Sequence, residues 1–156
     1  MELKTEPTRS SPPGPSTSPR EQLMEMIQGY WVSQICGAAA RLRLAHQLEH
    51  GPRTVAELAS LTCADPDGLG RLLRAGASVG LFTELEDDLF DLTPLGGELR
   101  IGNAAGSLGD FAIALTAPGR WLPFGRLFDA VVSGQPQARP AGARDGSVGV
   151  LRVPCR

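Results

Sequence analysis

Apolar residues recur at steps of three or four in the first third of the chain, which is the spacing of one helix face. The face spans two consecutive helical segments and ends before Gly51-Pro52, with the members Leu23, Ile27, Trp31, Ile35, Ala38, Leu42 and Ala45. Other apolar residues widen it, namely Met24, Met26, Tyr30, Val32 and Leu44. So broad an apolar surface needs cover on more than one side, which intertwining with a second chain would supply. An ordinary core helix fits the same pattern.

The middle of the chain contains closely spaced helix and strand signals. A capping box formed by Thr54 and Glu57 opens a short helix, and Asp65-Pro66 opens a second helix that Gly80 closes. Two strand-like runs follow, over residues 81–85 and 89–92, with an acidic turn at residues 86–88 between them. Helix, turn, helix and hairpin in this order predict a winged helix.

The last third of the chain predicts further short helices. They open at Thr93-Pro94 and at Ser107, and a final one stops at Ser133-Gly134. One face of the final helix holds Trp121, Phe124, Phe128 and Val131. The three aromatic residues, Trp121, Phe124 and Phe128, are candidates for the wall of a substrate pocket. The same spacing also fits a plain core.

Both ends of the chain differ from this pattern. Residues 1–19 contain five prolines and no apolar stretch, so we exclude a signal peptide and predict a disordered tail. Residues 135–156 have no sustained apolar period and predict a second disordered segment. Its Arg, Gly and Pro content is typical of a GC-rich gene read out of frame, so we also predict a shift of the reading frame near Gln137. A natural disordered tail is the alternative.

Bulk composition places the chain among soluble globular domains. Apolar residues make up 42% and charged residues 21%, and the net charge of -2 gives no basic field for nucleic acid or anionic lipid. No apolar run reaches the roughly 20 residues of a membrane span. The three cysteines are widely spaced, so we expect neither a disulfide framework nor a cysteine zinc site, and we place the protein in the cytoplasm.

Charge argues against the DNA binding that a winged helix first suggests. Residues 54–100 contain nine acidic residues and three arginines, and the turn of the hairpin is wholly acidic. Affinity for DNA depends on neutralising phosphates, so this surface has the wrong sign. We therefore expect no nucleic-acid partner.

Two other patterns resemble chemical motifs but lack their context. His46-Gln47-Leu48-Glu49-His50 matches H-x-x-E-H, yet it lies at a helix end without a third ligand, so no metal site is predicted. A cofactor loop requires a glycine-rich turn directly after a buried strand. No such strand precedes the glycines at positions 102, 106, 109, 142, 146 and 149. The chain therefore offers no catalytic and no cofactor-binding residues.

Several runs together resemble one enzyme family, the bacterial small-molecule S-adenosylmethionine-dependent O-methyltransferases. They match its N-terminal dimerisation and winged-helix domain over about residues 20–137. The similar runs are residues 46–59, Asp65-Pro66-Asp67, Arg71-Leu72-Leu73-Arg74, Val79-Gly80-Leu81-Phe82, Leu92-Thr93-Pro94-Leu95-Gly96, Ser107-Leu108, Trp121 and Ser133-Gly134-Gln135-Pro136. Many family members modify aromatic or polyketide metabolites, including antibiotics.

The resemblance implies a mainly α fold over residues 20–134, with a helical dimerisation region and a winged helix that has one small β-hairpin. It implies a homodimer, and the interface candidates are Leu23, Ile27, Trp31 and Ile35. In the family, S-adenosylmethionine is bound by a Rossmann-like domain that follows, so this chain is expected to bind no cofactor itself.

The function predicted from the resemblance is that of a truncated O-methyltransferase-like protein of secondary metabolism. Such a protein dimerises, contributes part of the pocket for a small aromatic substrate and is not catalytic alone. The alternatives are a non-catalytic subunit that works with a separate methyltransferase chain, and a winged-helix transcriptional regulator.

Overall fold

The computed structural model describes residues 18–86, 88–102 and 106–136. Within these ranges the helices are α1 (Pro19–Arg41), α2 (Leu44–Gln47), α3 (Val55–Thr62), α4 (Pro66–Ser78), α5 (Pro94–Gly97), α6 (Leu108–Leu115), α7 (Pro118–Gly125) and α8 (Leu127–Ser133). The strands are β1 (Arg53–Thr54), β2 (Phe82–Glu84) and β3 (Leu89–Leu92). The predicted mainly α fold with a small hairpin is confirmed. Most of both predicted tails, residues 1–17 and 137–156, lies outside the described residues, as does Asp87 of the predicted turn.

Side-chain caps set the starts of five helices. Ser18, Thr54, Asp65, Thr93 and Ser107 each accept a hydrogen bond from the backbone N–H three residues further on. Such a bond satisfies one of the N–H groups that have no partner within the helix. Because Ser18 is the cap, α1 begins at Pro19, one residue before the predicted start.

Two helix breaks differ in how well the sequence predicts them. The two predicted N-terminal segments are α1 and α2, separated where Arg43 adopts a left-handed conformation with φ of 55°. The predicted single helix through Trp121 and Val131 is wrong, because α7 ends at Gly125 and α8 begins after Arg126. Pro123 lies inside α7 and has no N–H to donate, which weakens the helix just before the break.

The sheet has three strands in the order β1-β3-β2, both pairs antiparallel. The central strand β3 places Phe90 opposite Arg53 on one side and opposite Glu84 on the other. The predicted hairpin is therefore present, but β1 was not predicted, because two residues are too few to show an alternating pattern.

The core lies between the sheet, α2 to α4 and the C-terminal half of α1. Its largest fully buried side chains are Phe90, Leu44, Leu48, Leu58 and Leu73. Helix α4 approaches the sheet closely at Gly76, where an added Cβ would lie 2.5 Å from the ring of Phe82. We call residues 44–100, which comprise α2 to α5 and the three strands, the body.

The cysteines follow the expectation only in part. Cys36 is a free thiol packed partly against the core, and burial raises its pKa. Cys63 is disulfide-bonded, whereas the spacing of the cysteines led us to expect no disulfide framework. No helix among the described residues is long and apolar enough to cross a lipid bilayer.

Candidate functional site

The N-terminal half of α1 leaves large apolar side chains in solvent. Leu23, Ile27 and Trp31 are 57%, 60% and 52% exposed, and Met24, Met26, Tyr30 and Val32 are exposed beside them. The rings of Tyr30 and Trp31 meet edge to face with centroids 5.6 Å apart. No charged residue occurs between positions 26 and 40. A contiguous uncharged apolar face of this kind is typical of a protein interface.

From Gly37 onward, one side of the same helix is covered by α6. Gly37 lies against Thr116, so closely that an added Cβ would overlap the threonine side chain. Thr116 is itself buried, and its hydroxyl donates to the carbonyl of Ala112 at 2.7 Å. Further along α1, Arg41 donates to the carbonyl of Ile113 at 3.3 Å. The later residue of α1 contacts the earlier residue near the end of α6, so the two helices run antiparallel.

Ile35 differs from the other three interface candidates. It is half-buried and packs against the core of its own chain, whereas Leu23, Ile27 and Trp31 have no such cover. The cover comes from the core of its own chain, since Ile35 lies about 200° around the helix from Gly37, the position that α6 contacts. Within one chain, the free face therefore includes Leu23, Ile27 and Trp31 but not Ile35.

Helix α6 has two apolar stripes with different surroundings. Gly109, Ala112 and Thr116 face inward at steps of three and four, and Gly109 touches the backbone of Leu99. Leu108, Phe111 and Leu115 form a second stripe that is 53%, 58% and 40% exposed. The second stripe is offset by one residue, about 100° around the helix. One side of α6 therefore covers α1 while the adjacent side has no cover.

The aromatic residues proposed for a substrate pocket lie on α7 and α8. Trp121 is half-buried, whereas Phe124 and Phe128 are 72% and 78% exposed. Their alternative interpretation as plain core is wrong for Phe124 and Phe128 within one chain. Neither helix contains a buried residue. A pocket at these residues would need a further surface to close it.

Two clefts lie on the body, and both have linings of mixed polar and apolar character. One of about 540 Å³ lies between the end of α2 and α5, next to Glu49, Asp91, Glu98 and Arg100. Another of about 580 Å³ lies between the starts of α3 and α4 and the hairpin. Neither cleft contains Trp121, Phe124 or Phe128.

Carboxylates of the hairpin surround the positively charged side chain of Arg74. The Arg74 guanidinium binds Glu84 at 3.0 Å and also Asp88, and these partners raise its pKa. Arg100 lies 3.7 Å from Glu49. These two of the three arginines counted above are therefore directed at carboxylates, which leaves little positive charge for a phosphate backbone.

The H-x-x-E-H pattern forms no ligand cluster among the described residues, where no group of three potential metal ligands occurs. Glu49 faces Arg100, and the Nδ1 atom of His46 is buried without a hydrogen-bond partner. Gly102 and Gly106 adopt positive φ in the connection from α5 to α6. The element before them is helix α5 and not the strand that precedes a cofactor loop. The glycines at 142, 146 and 149 lie outside the described residues.

The contact between Gly37 and Thr116 is another structural feature that the sequence did not predict. It divides α1 into a covered and an uncovered half, yet its partners lie far apart in the chain. A glycine inside a helix is the one sequence signal for such a close approach.

Known proteins match this chain over α1 and the body. The family described as the O-methyltransferase dimerisation domain matches residues 24–99, as the resemblance predicted. The phenazine O-methyltransferase PhzM of Lysobacter antibioticus is 45% identical over 80 residues, which are 51% of this chain and 24% of that protein. The 8-amino-8-demethylriboflavin N,N-dimethyltransferase of Streptomyces davaonensis is 33% identical over 134 residues, 86% of this chain and 37% of that protein.

A solved structure shows the same fold. The crystal structure of the riboflavin dimethyltransferase RosA from Streptomyces davawensis has a TM-score of 0.67 and 34% identity, and it covers 76% of this chain and 35% of that one. The chain thus spans about a quarter to somewhat over a third of the length of the relatives it matches.

Proposed function

Residues 24–99 are an O-methyltransferase dimerisation domain, and from this premise we propose that the chain forms a homodimer through the exposed half of α1. The observation that carries the proposal is the apolar, uncharged face around Leu23, Ile27 and Trp31. Removing each large side chain from water contributes about 1.5–3 kcal/mol at full burial, so pairing two such faces is strongly favoured. A two-fold dimer brings the same face from both chains.

The wider function is proposed to be that of the dimerising part of a bacterial methyltransferase of secondary metabolism. The proteins matched above methylate a phenazine and an aminoriboflavin derivative, which supports a small aromatic acceptor molecule. One of them is named for N-methylation, so the family does not fix the acceptor atom. We assign no catalytic or cofactor-binding role to the described residues. The two relatives extend well beyond the matched region, and we propose that transfer from S-adenosylmethionine uses residues of such a further region.

Trp121, Phe124 and Phe128 are proposed to contribute one wall of the acceptor pocket. Their aromatic rings and high exposure support contact with a planar molecule once a second surface closes the site. Calorimetric titration of the homodimer with a tricyclic aromatic carboxylic acid tests this. We expect Phe124→Ala to weaken binding at least about tenfold, a loss of about 1.4 kcal/mol. Equal affinity of the variant and the wild type would contradict the proposal.

Dimerisation itself is tested by sedimentation equilibrium of three proteins. We expect the wild type to be a dimer at micromolar concentration. Trp31→Glu places a charge in the interface, and because an unpaired buried charge costs several kcal/mol, its dissociation constant should rise at least about 100-fold. Leu61→Glu is the matched control, since Leu61 is 47% exposed on α3 of the body. A monomeric wild type, or equal effects of both variants, would refute the interface.

The alternative of a winged-helix regulator has its own discriminating experiment. The carboxylates around Arg74 and the net acidity of residues 54–100 weigh against it. A regulator would bind duplex DNA with an affinity that falls steeply as salt is raised. Submicromolar, salt-sensitive binding would favour the regulator over the methyltransferase function.

A further inference from the structure

We propose that Cys63 is bonded to Cys155 and that the disulfide holds residues 150–156 in the cleft between the starts of α3 and α4 and the hairpin. The occupant of the cleft is a segment of the same chain that lies outside the described residues. Both partners belong to one chain, so the proposal depends neither on the homodimer nor on the methyltransferase function.

The state of the cysteines carries the covalent part of the proposal. The chain has three cysteines, at positions 36, 63 and 155. Cys63 is disulfide-bonded, whereas Cys36 is a free thiol that packs partly against the core. Because the bond lies within a single chain, Cys155 is the remaining partner. The disulfide thus attaches residues 150–156 to the body.

Cys63 lies next to the cleft. It follows α3 directly, is half-buried and has a φ of 53°, in the left-handed region that glycine usually occupies at a helix end. Pro66 and Asp67, three and four residues further on, line the cleft of about 580 Å³. A segment attached at Cys63 therefore starts at one edge of this cleft.

The charges around the cleft favour a positively charged occupant. Asp67 is exposed, and among the described residues no basic side chain forms an ion pair with it. The carboxylate of Glu57 accepts hydrogen bonds from Thr54 of the lining, and the carboxylate of Asp65 caps α4. In and next to the lining, carboxylates therefore outnumber arginines by five to three, the members being Glu57, Asp65, Asp67, Glu84, Asp88, Arg53, Arg71 and Arg74.

Residues 150–156 have the complementary chemistry. Their sequence is Val-Leu-Arg-Val-Pro-Cys-Arg, with two arginines and no acidic residue. The lining of the cleft includes apolar side chains, against which the valines and the leucine of the segment pack. Arg152 lies three residues before Cys155, a span of about 10 Å in an extended chain. Asp67 lies four residues after Cys63, so the disulfide brings the guanidinium of Arg152 within reach of the Asp67 carboxylate.

The connecting chain is long enough for this contact. Cys155 lies nineteen residues after Pro136, the last described residue. Nineteen extended residues span about 60 Å, whereas a domain of this size has a radius of gyration of about 13 Å. The segment therefore reaches Cys63 from the end of α8 along the surface of the domain.

Peptide mapping of the full-length protein tests the disulfide. The protein is equilibrated with oxidised glutathione, which takes up two electrons and two protons from the two thiols and leaves the protein disulfide and two glutathione thiols. After alkylation at acidic pH, a tryptic digest should contain residues 54–71 linked to residues 153–156, with Cys36 alkylated. Alkylated Cys63 and Cys155, or a link from either of them to Cys36, would overturn the proposal.

A redox equilibrium tests the binding in the cleft. The equilibrium constant between the dithiol and the disulfide form in glutathione buffers measures how strongly the folded chain holds the two sulfurs together. Asp67→Lys replaces an attraction to Arg152 by a repulsion and should lower this constant at least about threefold. Glu98→Lys is the matched control, because it makes the same change of charge at an exposed residue of the other cleft, and it should leave the constant unchanged.

A charge swap separates binding of the segment from an effect on α4, whose first turn contains Asp67. Arg152→Asp alone should also lower the constant about threefold. Combined with Asp67→Lys, it should restore a value close to that of the wild type. Raising the salt concentration should lower the constant of the wild type toward that of the single variants.

The outcomes distinguish a tethered segment from a bound one. If the disulfide forms but every variant has the wild-type constant at all salt concentrations, the segment is tethered only, and its binding in the cleft is wrong. If the double variant does not recover, Asp67 acts through α4, and the binding is refuted as well. A monomeric wild type would refute the homodimer and leave this proposal intact.

Discussion

The body and the helix pair α7–α8 are both rich in apolar residues, but they differ in how their helices are anchored. Helices α3, α4 and α5 each begin at a side-chain cap and contain buried residues. Helices α7 and α8 have no side-chain cap, and no residue in either is buried. Most large apolar side chains of the body fill a core, whereas those of α7–α8 face solvent.

This difference shows that apolar content alone does not determine burial. The body closes on itself because the sheet, α2, α3 and α4 supply each other with cover. The exposed half of α1 and the pair α7–α8 lack cover within one chain, and helices this short gain most of their stability from packing. We therefore expect the body to carry the stability of the monomer and the other helices to depend on association.

The largest expected contrast lies between two phenylalanines. Phe90→Ala removes a ring that is 0% exposed at the centre of the sheet, and it should lower the free energy of unfolding by about 3–5 kcal/mol. Phe128→Ala removes a ring that is 78% exposed and should change this free energy by less than about 0.5 kcal/mol in the dilute monomer. Urea denaturation at low protein concentration measures both. Similar losses for the two variants would mean that α8 belongs to the stable core of one chain.

A second contrast lies within α1, between two glycines. Gly37→Ala introduces a methyl group that overlaps Thr116, and we expect it to cost about 1–3 kcal/mol of stability. Gly29→Ala has open space around it and should instead stabilise the helix by about 0.5–1 kcal/mol. Thermal unfolding of the monomer gives both values. Measuring dimerisation as a function of protein concentration adds a further test. A higher dissociation constant for Gly29→Ala would show that a second chain packs closely at this position.

A third contrast concerns the caps of α6 and α7. Ser107 accepts from the N–H of Asp110 at 3.0 Å and donates to the carbonyl of Arg100 at 2.8 Å. Ser107→Ala should therefore cost about 1 kcal/mol. Ala117 precedes α7 and supplies no side-chain cap. Ala117→Ser adds a cap and should increase the protection of the first turn of α7 from hydrogen exchange by up to about 1 kcal/mol. Hydrogen exchange of the first turns of α6 and α7 measures each change locally. An unchanged α6 after Ser107→Ala would show that packing alone holds it.

The smallest effect is a pH dependence at the start of α3. Hydrogen bonds from the backbone N–H and then the hydroxyl of Thr54 hold the pKa of Glu57 below its ordinary value. This stabilisation is complete above the ordinary pKa and is lost as pH falls through the lowered one. In Glu57→Gln the cap persists without titration, so the difference in melting temperature between wild type and variant should shrink from about pH 7 to about pH 3.

Glu21 makes the same kind of cap at the start of α1, where the pKa is lowered by the backbone and hydroxyl of Ser18. Because this turn lies at the uncovered end of α1, Glu21→Gln should leave the melting temperature of the monomer unchanged at every pH. A pH-dependent effect of Glu21 as large as that of Glu57 would contradict the division between the two regions.

The sequence predicted features that depend on neighbours along the chain. The capping box at Thr54, the Asp65-Pro66 start of α4 and the strand Leu89–Leu92 are all present in the structure. They were predictable because a cap or a proline acts within four residues. The apolar face through Leu23, Ile27 and Trp31 was visible for the same reason, since helix periodicity is local, although its role as an interface remains a proposal.

Only the tertiary structure decided which apolar faces are covered. The periodicity that groups Ile35 with Trp31 gives both the same expectation, but Ile35 packs against the core of its own chain and Trp31 is exposed. Helix α6 covers another side of α1, from Gly37 onward. The partners Gly37 and Thr116 are distant in the chain, so no local pattern contains their contact. Phe124 and Phe128 likewise have a core-like spacing without a core to join. Burial depends on the packing of other helices, and periodicity specifies a face without specifying what covers it.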